Sequence, residues 1–188
     1  MKAPLPENEA ARLEALRQLK ILDTEPEAAF DDLTRLAAYI CKTPIALITL
    51  LDSDRQWFKS RVEVTPAESS RDVSFCAHAI LQPGPFVVPD ALDDERFRTN
   101  PFVTSEPNIR FYAGSPLTTD EGFKLGTLCV IDRTPRELSQ GQIAALRTLS
   151  QQVMTLLEMR GKISTLTRSL EESQKKCKEL EARLNAQK

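Results

Sequence analysis

The chain of 188 residues holds one histidine, one tryptophan, six glycines and four cysteines. The cysteines stand at 41, 76, 129 and 177, too far apart to form a CxxC pair, and a single His78 cannot complete a Cys/His ligand set. A disulfide framework and a structural zinc site are thereby excluded, and free thiols in a reducing compartment are expected. No apolar run approaches the roughly 18–20 residues that cross a bilayer, and Ile45 to Leu51 falls far short. Met1 to Glu7 has no apolar segment of the signal-peptide kind, so the expected location is cytoplasmic, with no membrane partner. Neither charge dominates: 25 Lys and Arg face 27 Asp and Glu, a net charge of −2, which excludes a general basic field for nucleic acid. A P-loop, an HExxH pair, a nucleophile elbow and a dinucleotide fingerprint are all missing, so no enzymatic activity is expected.

What remains is an ordinary soluble composition, 41% apolar and 28% charged, in a length suited to one domain with some chain left over. Glu7 to Leu22 carries Ala10, Leu13, Leu16 and Leu19 at helical spacing. Asp23-Thr24-Glu25-Pro26 ends that helix and starts another, with Thr24 as the expected N-cap and Phe30, Leu33, Leu36, Ala37 and Ile40 as its apolar face. Pro44 to Leu51 and Gln56 to Val62 have strand composition and flank a turn at Asp52-Ser53-Asp54, which predicts a hairpin. Glu63 to Pro107 is loop-rich, with a short helix expected at Ser74 to Leu81, a short strand at Phe86 to Val88 and a helical turn at Asp93 to Phe97. Irregular segments of such length usually carry function. Phe111 to Thr118 and Leu125 to Asp132 form a second hairpin. The order predicts an α+β fold: an antiparallel sheet with helices grouped on one side.

From Ser139 to about Gln187 there is no proline and one glycine, and Ser139 with Gln142 resembles a capping box, so one long helix is expected. Leu149, Leu156, Ile163, Leu170, Cys177 and Leu184 recur every seven residues, and Met159, Leu166 and Leu180 fall three positions after members of that series. That is a heptad seam, and it predicts a parallel homodimeric coiled coil through these side chains. Gln152, Ser173 and Gln187 weaken the second seam position. Cys177 would face its own copy there.

The motifs ENEAARLEALRQLKILDTEPEAAFDDLTRLAAYIC, ALITLLDSDRQWFKS, SFCAHAI, DDERFRTNPFV, IRFYAGSPL and GTLCVIDRTPREL together resemble a GAF domain of the kind found in bacterial, especially cyanobacterial, sensor histidine kinases and diguanylate cyclases. The resemblance covers about Glu7 to Arg160. It implies a central antiparallel sheet of about six strands, terminal helices on one face, and a small-ligand pocket built from the irregular middle on the other. It also implies a GAF core over 7–138 and a C-terminal signalling helix over 139–188 that serves as dimer contact and leads to a kinase or cyclase output domain. Gly114-Ser115-Pro116-Leu117 stands where relatives often have GAPL, and Glu63 where a glycine is common. No kinase, cyclase or phosphatase motif follows the long helix within this sequence.

Candidate ligand-binding residues are Cys76, His78, Asp90, Arg96, Asn100, Arg110 and Tyr112. A thiol and an imidazole near a pocket could attach a bilin or hold haem or iron. Against that, relatives that bind bilin place Cys immediately before His, and a helix sends Cys76 and His78 about 200° apart. Structural packing is the favoured role for both. Asp90, Arg96, Asn100 and Arg110 could converge on a polar ligand, or could form a network in which Asp90 pairs with Arg96 or Arg110 and anchors the loops. Phe58, Phe75, Phe97, Phe111 and Tyr112 are candidates for cavity wall or core, and Cys129 for packing. A non-catalytic sensory module is the expected function. A pure dimerisation module is the alternative, followed by a thiol redox enzyme such as a free methionine sulfoxide reductase. The closely arranged cysteines which that last reading needs are not evident among Cys41, Cys76 and Cys129.

Overall fold

A computed structural model describes the backbone of residues 2–186 and the side chains of 2–179 and 181. Helices α1 (Glu9–Gln18) and α2 (Ala28–Cys41) lead into strands β1 (Ile45–Leu51), β2 (Arg55–Val62) and β3 (Glu68–Ser70). A 3-10 turn (Arg71–Val73) and helix α3 (Phe75–Ala79) follow, then β4 (Phe86–Val88), α4 (Pro101–Thr104), β5 (Phe111–Thr118), β6 (Lys124–Asp132) and α5 (Gln140–Ala186). The six strands form one sheet in the order β3-β2-β1-β6-β5-β4, with every neighbouring pair antiparallel. The α+β class, the six-stranded sheet and the long terminal helix are those expected.

Period-two alternation assigns each strand two faces. Ala46, Ile48 and Leu50 of β1, Phe111, Ala113 and Leu117 of β5, and Leu128 and Val130 of β6 pack against Leu16 of α1, Phe30 and Ala37 of α2, and Leu146, Leu149, Val153 and Leu157 of α5. Their neighbours Ile45, Leu47, Leu51, Tyr112, Cys129 and Ile131 point the other way, into a second cluster with Phe58, Phe75, Phe86 and Phe97. Among the described residues no helix longer than five residues covers that second face. The β1/β2 register shifts between Ile48 and Thr49. That bulge turns both Lys59 and Ser60 toward the helices, where Lys59 Nζ donates to Glu27 Oε1 (2.7 Å) and Ser60 Oγ to Asp31 Oδ1 (2.6 Å).

Several local expectations are corrected. Helix α2 begins at Ala28 with Glu27, not Thr24, before it. The Thr24 hydroxyl donates to the Ile21 carbonyl (2.7 Å) and accepts from Lys59 Nζ (3.0 Å), which removes it from capping. Helix α1 is shorter than predicted and buries Arg12 beside Leu16, while Ala10 is exposed. Arg12 is neutralised by a bidentate pair with Glu9 (2.8 and 2.7 Å), which also accepts from Arg71 (2.6 Å). Leu36 lies on the exposed side of α2. Asp93 to Phe97 holds the expected single helical turn, the Phe97 and Arg98 N–H groups both donating to the Asp94 carbonyl (3.0 and 2.9 Å), and a further short helix follows at Pro101–Thr104, capped by Asn100. At the start of α5 the capping box forms: Gln142 Oε1 accepts from the Ser139 backbone N–H (2.9 Å), and the Ser139 hydroxyl accepts from the Gln142 N–H (3.3 Å).

Candidate functional site

On the sheet face away from the long helices lies a cavity of about 510 Å³. Its floor is the outward row of β1, β2, β5 and β6, namely Ile45, Leu47, Phe58, Tyr112 and Ile131. The loop after β2, through Val64 and Pro66, forms one wall, with Phe75 and Cys76 of α3 and Phe102 and Ile109 opposite. Such a volume with a mostly apolar lining and a few polar groups falls in the range of small-molecule pockets.

The polar groups gather at one end. Gln56, only 5% exposed, faces Ser69 across β2 and β3 and accepts from the Ser74 hydroxyl. That hydroxyl also accepts from the Ala77 N–H and caps α3 (3.1 Å). The Ser69 hydroxyl is buried with no partner among the described residues. Below the Cys76 side of the cavity a second polar knot forms inside the sheet. The Tyr112 hydroxyl donates to Cys76 Sγ (3.3 Å) and lies 3.5 Å from Thr127 Oγ1, which is 3.2 Å from Thr49 Oγ1. Gly114 makes this possible, because a Cβ there would come within 2.2 Å of the Tyr112 oxygen. Cys129 Sγ is 3.9 Å from Cys76 Sγ.

Burial raises the Cys76 thiol, yet the Cys129 thiol and the Thr127, Thr49 and Tyr112 hydroxyls more than offset this and hold it below the ordinary thiol range. Cys129 and Tyr112 are both pushed well above their usual values, burial being the main cause. On the helix face, burial pushes Cys41 up to about 11.

Of the seven candidate ligand residues, Cys76 and Tyr112 line the cavity; His78, Asp90, Arg96, Asn100 and Arg110 do not. His78 is buried with its ring edge-on to Phe97, centroids 4.9 Å apart. Arg96 pairs with Asp94 through two contacts (2.9 and 2.6 Å), which lowers the Asp94 carboxyl, and lies over the Phe86 ring at 4.7 Å. Asp90 instead accepts from the Leu92 N–H (3.0 Å). The expected Asp90 pairing is therefore replaced, because Asp94 stands two residues from Arg96 in the same turn. Asn100 Nδ2 donates to the Val73 carbonyl (2.8 Å), and Arg110 donates to the Val103 and Ile109 carbonyls (2.9 and 3.0 Å). These groups tie the loops that roof the face. Phe58 and Phe75 join the lining, Phe97 stacks behind Phe75 at 4.0 Å, and Phe111 faces the helices. Gln56, Ser69, Ser74 and Val64 were not anticipated as site residues; the alternation of β2 marks Gln56 and Phe58 as sharing a face, and nothing in the sequence marks the others.

The cavity lining contains no histidine, and no group of three His, Cys, Asp or Glu among the described residues could hold a metal. The residues present therefore do not fit an iron ion held by side chains alone or a haem held by histidine. Cys76, 2% exposed and without an adjacent histidine in the sequence, does not match the bilin-attachment pattern either.

Along α5, Leu149 is buried in the core and Leu156 is partly buried against it. Apolar positions left uncovered in the single chain begin at Met159 and continue through Ile163, Leu166 and Leu170 to the exposed Cys177. The side chains of Leu180, Leu184 and Gln187 lie outside the described residues. Where α5 leaves the body, Arg160 donates from Nε to Glu27 Oε1 (2.8 Å) and from Nη1 to the Lys20 carbonyl (3.1 Å).

A six-stranded antiparallel sheet covered by helices on one face, with a cavity beneath loops on the other, defines the α+β class of this domain. Residues 25–157 match the GAF domain family, and the chain belongs to it. It is 46% identical over 152 residues to a cyclic di-GMP phosphodiesterase of Pseudomonas aeruginosa, a match that covers 80% of this chain and 26% of that protein. The chain thus spans about a quarter of that relative's length. Among solved structures it resembles the GAF domain of an Acinetobacter phosphoenolpyruvate-protein phosphotransferase (TM-score 0.60, 18% identity, 82% of this chain and 98% of that one). It also resembles a type II free methionine-R-sulfoxide reductase from Thermoplasma acidophilum (TM-score 0.58, 12% identity, 70% and 92%). At such identities the structural likenesses concern the fold. Among the described residues no helix is long and apolar enough to cross a membrane.

Proposed function

We propose that this GAF domain is the non-catalytic sensory module of a cytoplasmic signalling protein: it takes a small, largely apolar ligand into the 510 Å³ cavity and passes the change through α5 to an output domain. Its core is residues 7–138, and 139–188 form a stalk that pairs in parallel with a second copy. The output is of the phosphodiesterase, kinase or cyclase kind; the Pseudomonas aeruginosa relative favours the first.

The observation that carries this reading is the placement of the two features on opposite sides of one sheet, joined by a short path. Phe58 lines the cavity, and its neighbour Lys59 emerges on the other face, buried and bonded to Glu27. Glu27 in turn holds Arg160, among the described residues the last of α5 tied to the body by an ion pair. A ligand that displaces Phe58 moves β2 at its bulge, and the Lys59–Glu27–Arg160 node is where α5 would feel it. The uncovered stripe from Met159 to Cys177 is too narrow to belong in a globular core and suits a seam.

Native mass spectrometry of the chain isolated from its own host tests the reading. The expected species is a dimer with extra non-covalent mass, and that mass should vanish in Val64→Trp, which fills the cavity from its loop wall. An unliganded monomer in both proteins would overturn it.

A further inference from the structure

Two thiols meet where the function proposed above needs none. Cys76 sits on α3 and Cys129 in the middle of β6, 53 residues apart in sequence, and their sulfurs are 3.9 Å from each other. Cys76 lines the cavity while Cys129 lies behind it, fully buried. Of the two residues only Cys76, itself 2% exposed, borders the cavity from which a small oxidant would reach it, and Cys129 is placed to attack the Cys76 sulfur. This arrangement also revises the expectation that Cys41, Cys76 and Cys129 lie apart: Cys41 belongs to the helix-face core, but the other two are neighbours.

Around the pair, Thr49, Thr127 and Tyr112 bring three hydroxyls into an otherwise apolar interior. Hydroxyls that converge on a sulfur stabilise its thiolate, which is the nucleophilic form. The ordinary packing role of a buried cysteine calls for none of them.

We propose that Cys76 and Cys129 form a peroxide-responsive thiol–disulfide switch inside the domain, with Cys76 as the attacking sulfur and Cys129 as the resolving one. The oxidant is a hydroperoxide, hydrogen peroxide in the simplest case. The Cys76 sulfur attacks one peroxide oxygen, an S–O bond forms, the O–O bond breaks, and the leaving hydroxide takes the Cys76 proton as water. The Cys129 sulfur then attacks the sulfenic sulfur, an S–S bond forms, the S–O bond breaks, and the second hydroxide leaves as water with the Cys129 proton. Two thiols lose two electrons and two protons, and one peroxide becomes two waters. Closing the sulfurs to about 2.05 Å draws α3 onto β6 and takes the Cys76 sulfur away from the Tyr112 hydroxyl. The cavity wall at Cys76 moves with it.

The test uses the full chain with Cys177→Ser, which removes intermolecular pairing at the exposed thiol. Hydrogen peroxide at a few equivalents, followed by alkylation and tryptic digestion, should join peptide 72–96 to peptide 125–133, in more than half of the chains and with loss of two hydrogens. A thiol reductant should restore both peptides. Further replacement of Cys76 or Cys129 by Ser should abolish the link, and the Cys129→Ser chain should stop at a Cys76 sulfenic acid trapped by dimedone. Cys41 should remain alkylatable after unfolding in every case. Should peptides 72–96 and 125–133 stay separate in folded protein, or should Cys76 in Cys129→Ser resist dimedone, the assignment is wrong. Ligand mass plays no part in this readout, so it fails or succeeds independently of the sensory reading.

Discussion

The two faces of the sheet are built from the same strands and behave as opposites. On the helix face, alternate residues of β1, β5 and β6 meet three helices and leave a closed core. On the other face the same strands meet loops and one-turn helices, and a cavity of about 510 Å³ remains. Long helices offer a continuous apolar stripe that fills the space over a pleated surface. Loops must first satisfy their own backbone groups, as Asn100, Arg110 and Ser74 do here, and cannot pack as densely. The helix face is a closed core, and the loop face leaves a cavity.

Adjacent residues of β1 sharpen the contrast most. Ile48→Ala, on the helix face, should cost about 4 kcal/mol, whereas Leu47→Ala, on the cavity floor, should cost about 2, because part of its surroundings is already open. Equal losses in urea unfolding would remove the distinction between the faces.

Acid should act next, through the clasp that holds the N-terminal helix to the sheet edge. Burial raises the Glu9 carboxyl, but Arg12 and Arg71 overcome this and hold it at about 2, well under the ordinary 4.5. A carboxyl lowered in the folded state contributes stability above its unfolded value and loses it as pH falls through the folded one. On the order of 3 kcal/mol should therefore drain away between pH 4.5 and 2, and Glu9→Gln should flatten that part of the stability profile. A profile unchanged by the substitution would disprove the clasp.

Glu27→Gln should have a smaller effect, roughly 1–2 kcal/mol, since Lys59 keeps its bonds to Thr24 and to the Glu25 carbonyl. The smallest change belongs to Val64→Trp, within about 0.5 kcal/mol of the parent, because a partly buried loop residue is exchanged for one that enters open space. A large loss there, in thermal unfolding, would mean that the cavity is needed for folding.

Much of this frame was legible in the residues. Ile45 to Leu51 and Phe111 to Thr118 declare themselves as strands by composition, and the Ser139/Gln142 box marks where α5 begins. Strand β3 did not, since Glu68-Ser69-Ser70 has no strand propensity and exists through pairing with Arg55, Gln56 and Trp57. Burial of Arg12 was equally hidden, because a helical stripe predicts an apolar residue there and the partner Arg71 lies 59 positions further on, bridged by Glu9. At the site, chemical conspicuousness drew attention to Asp90, Arg96, Asn100 and Arg110, which bond within and between the loops, and to His78, which packs on Phe97. The cavity is defined instead by ordinary aliphatic and aromatic side chains whose direction depends on strand register. Proximity of Cys76 to Cys129 required the sheet order itself, which no local pattern encodes.

The decisive measurement is the distance between spin labels on α5 of paired chains, carried at Arg168→Cys in a Cys177→Ser background, in ligand-loaded protein and in the same protein with Val64→Trp. Arg168 lies two residues beyond Leu166, on the outer side of the heptad register. If cavity occupancy on one face reaches the helix rooted on the other, both samples show dipolar coupling and their distance distributions differ. Identical distributions, or no coupling at all, would contradict it.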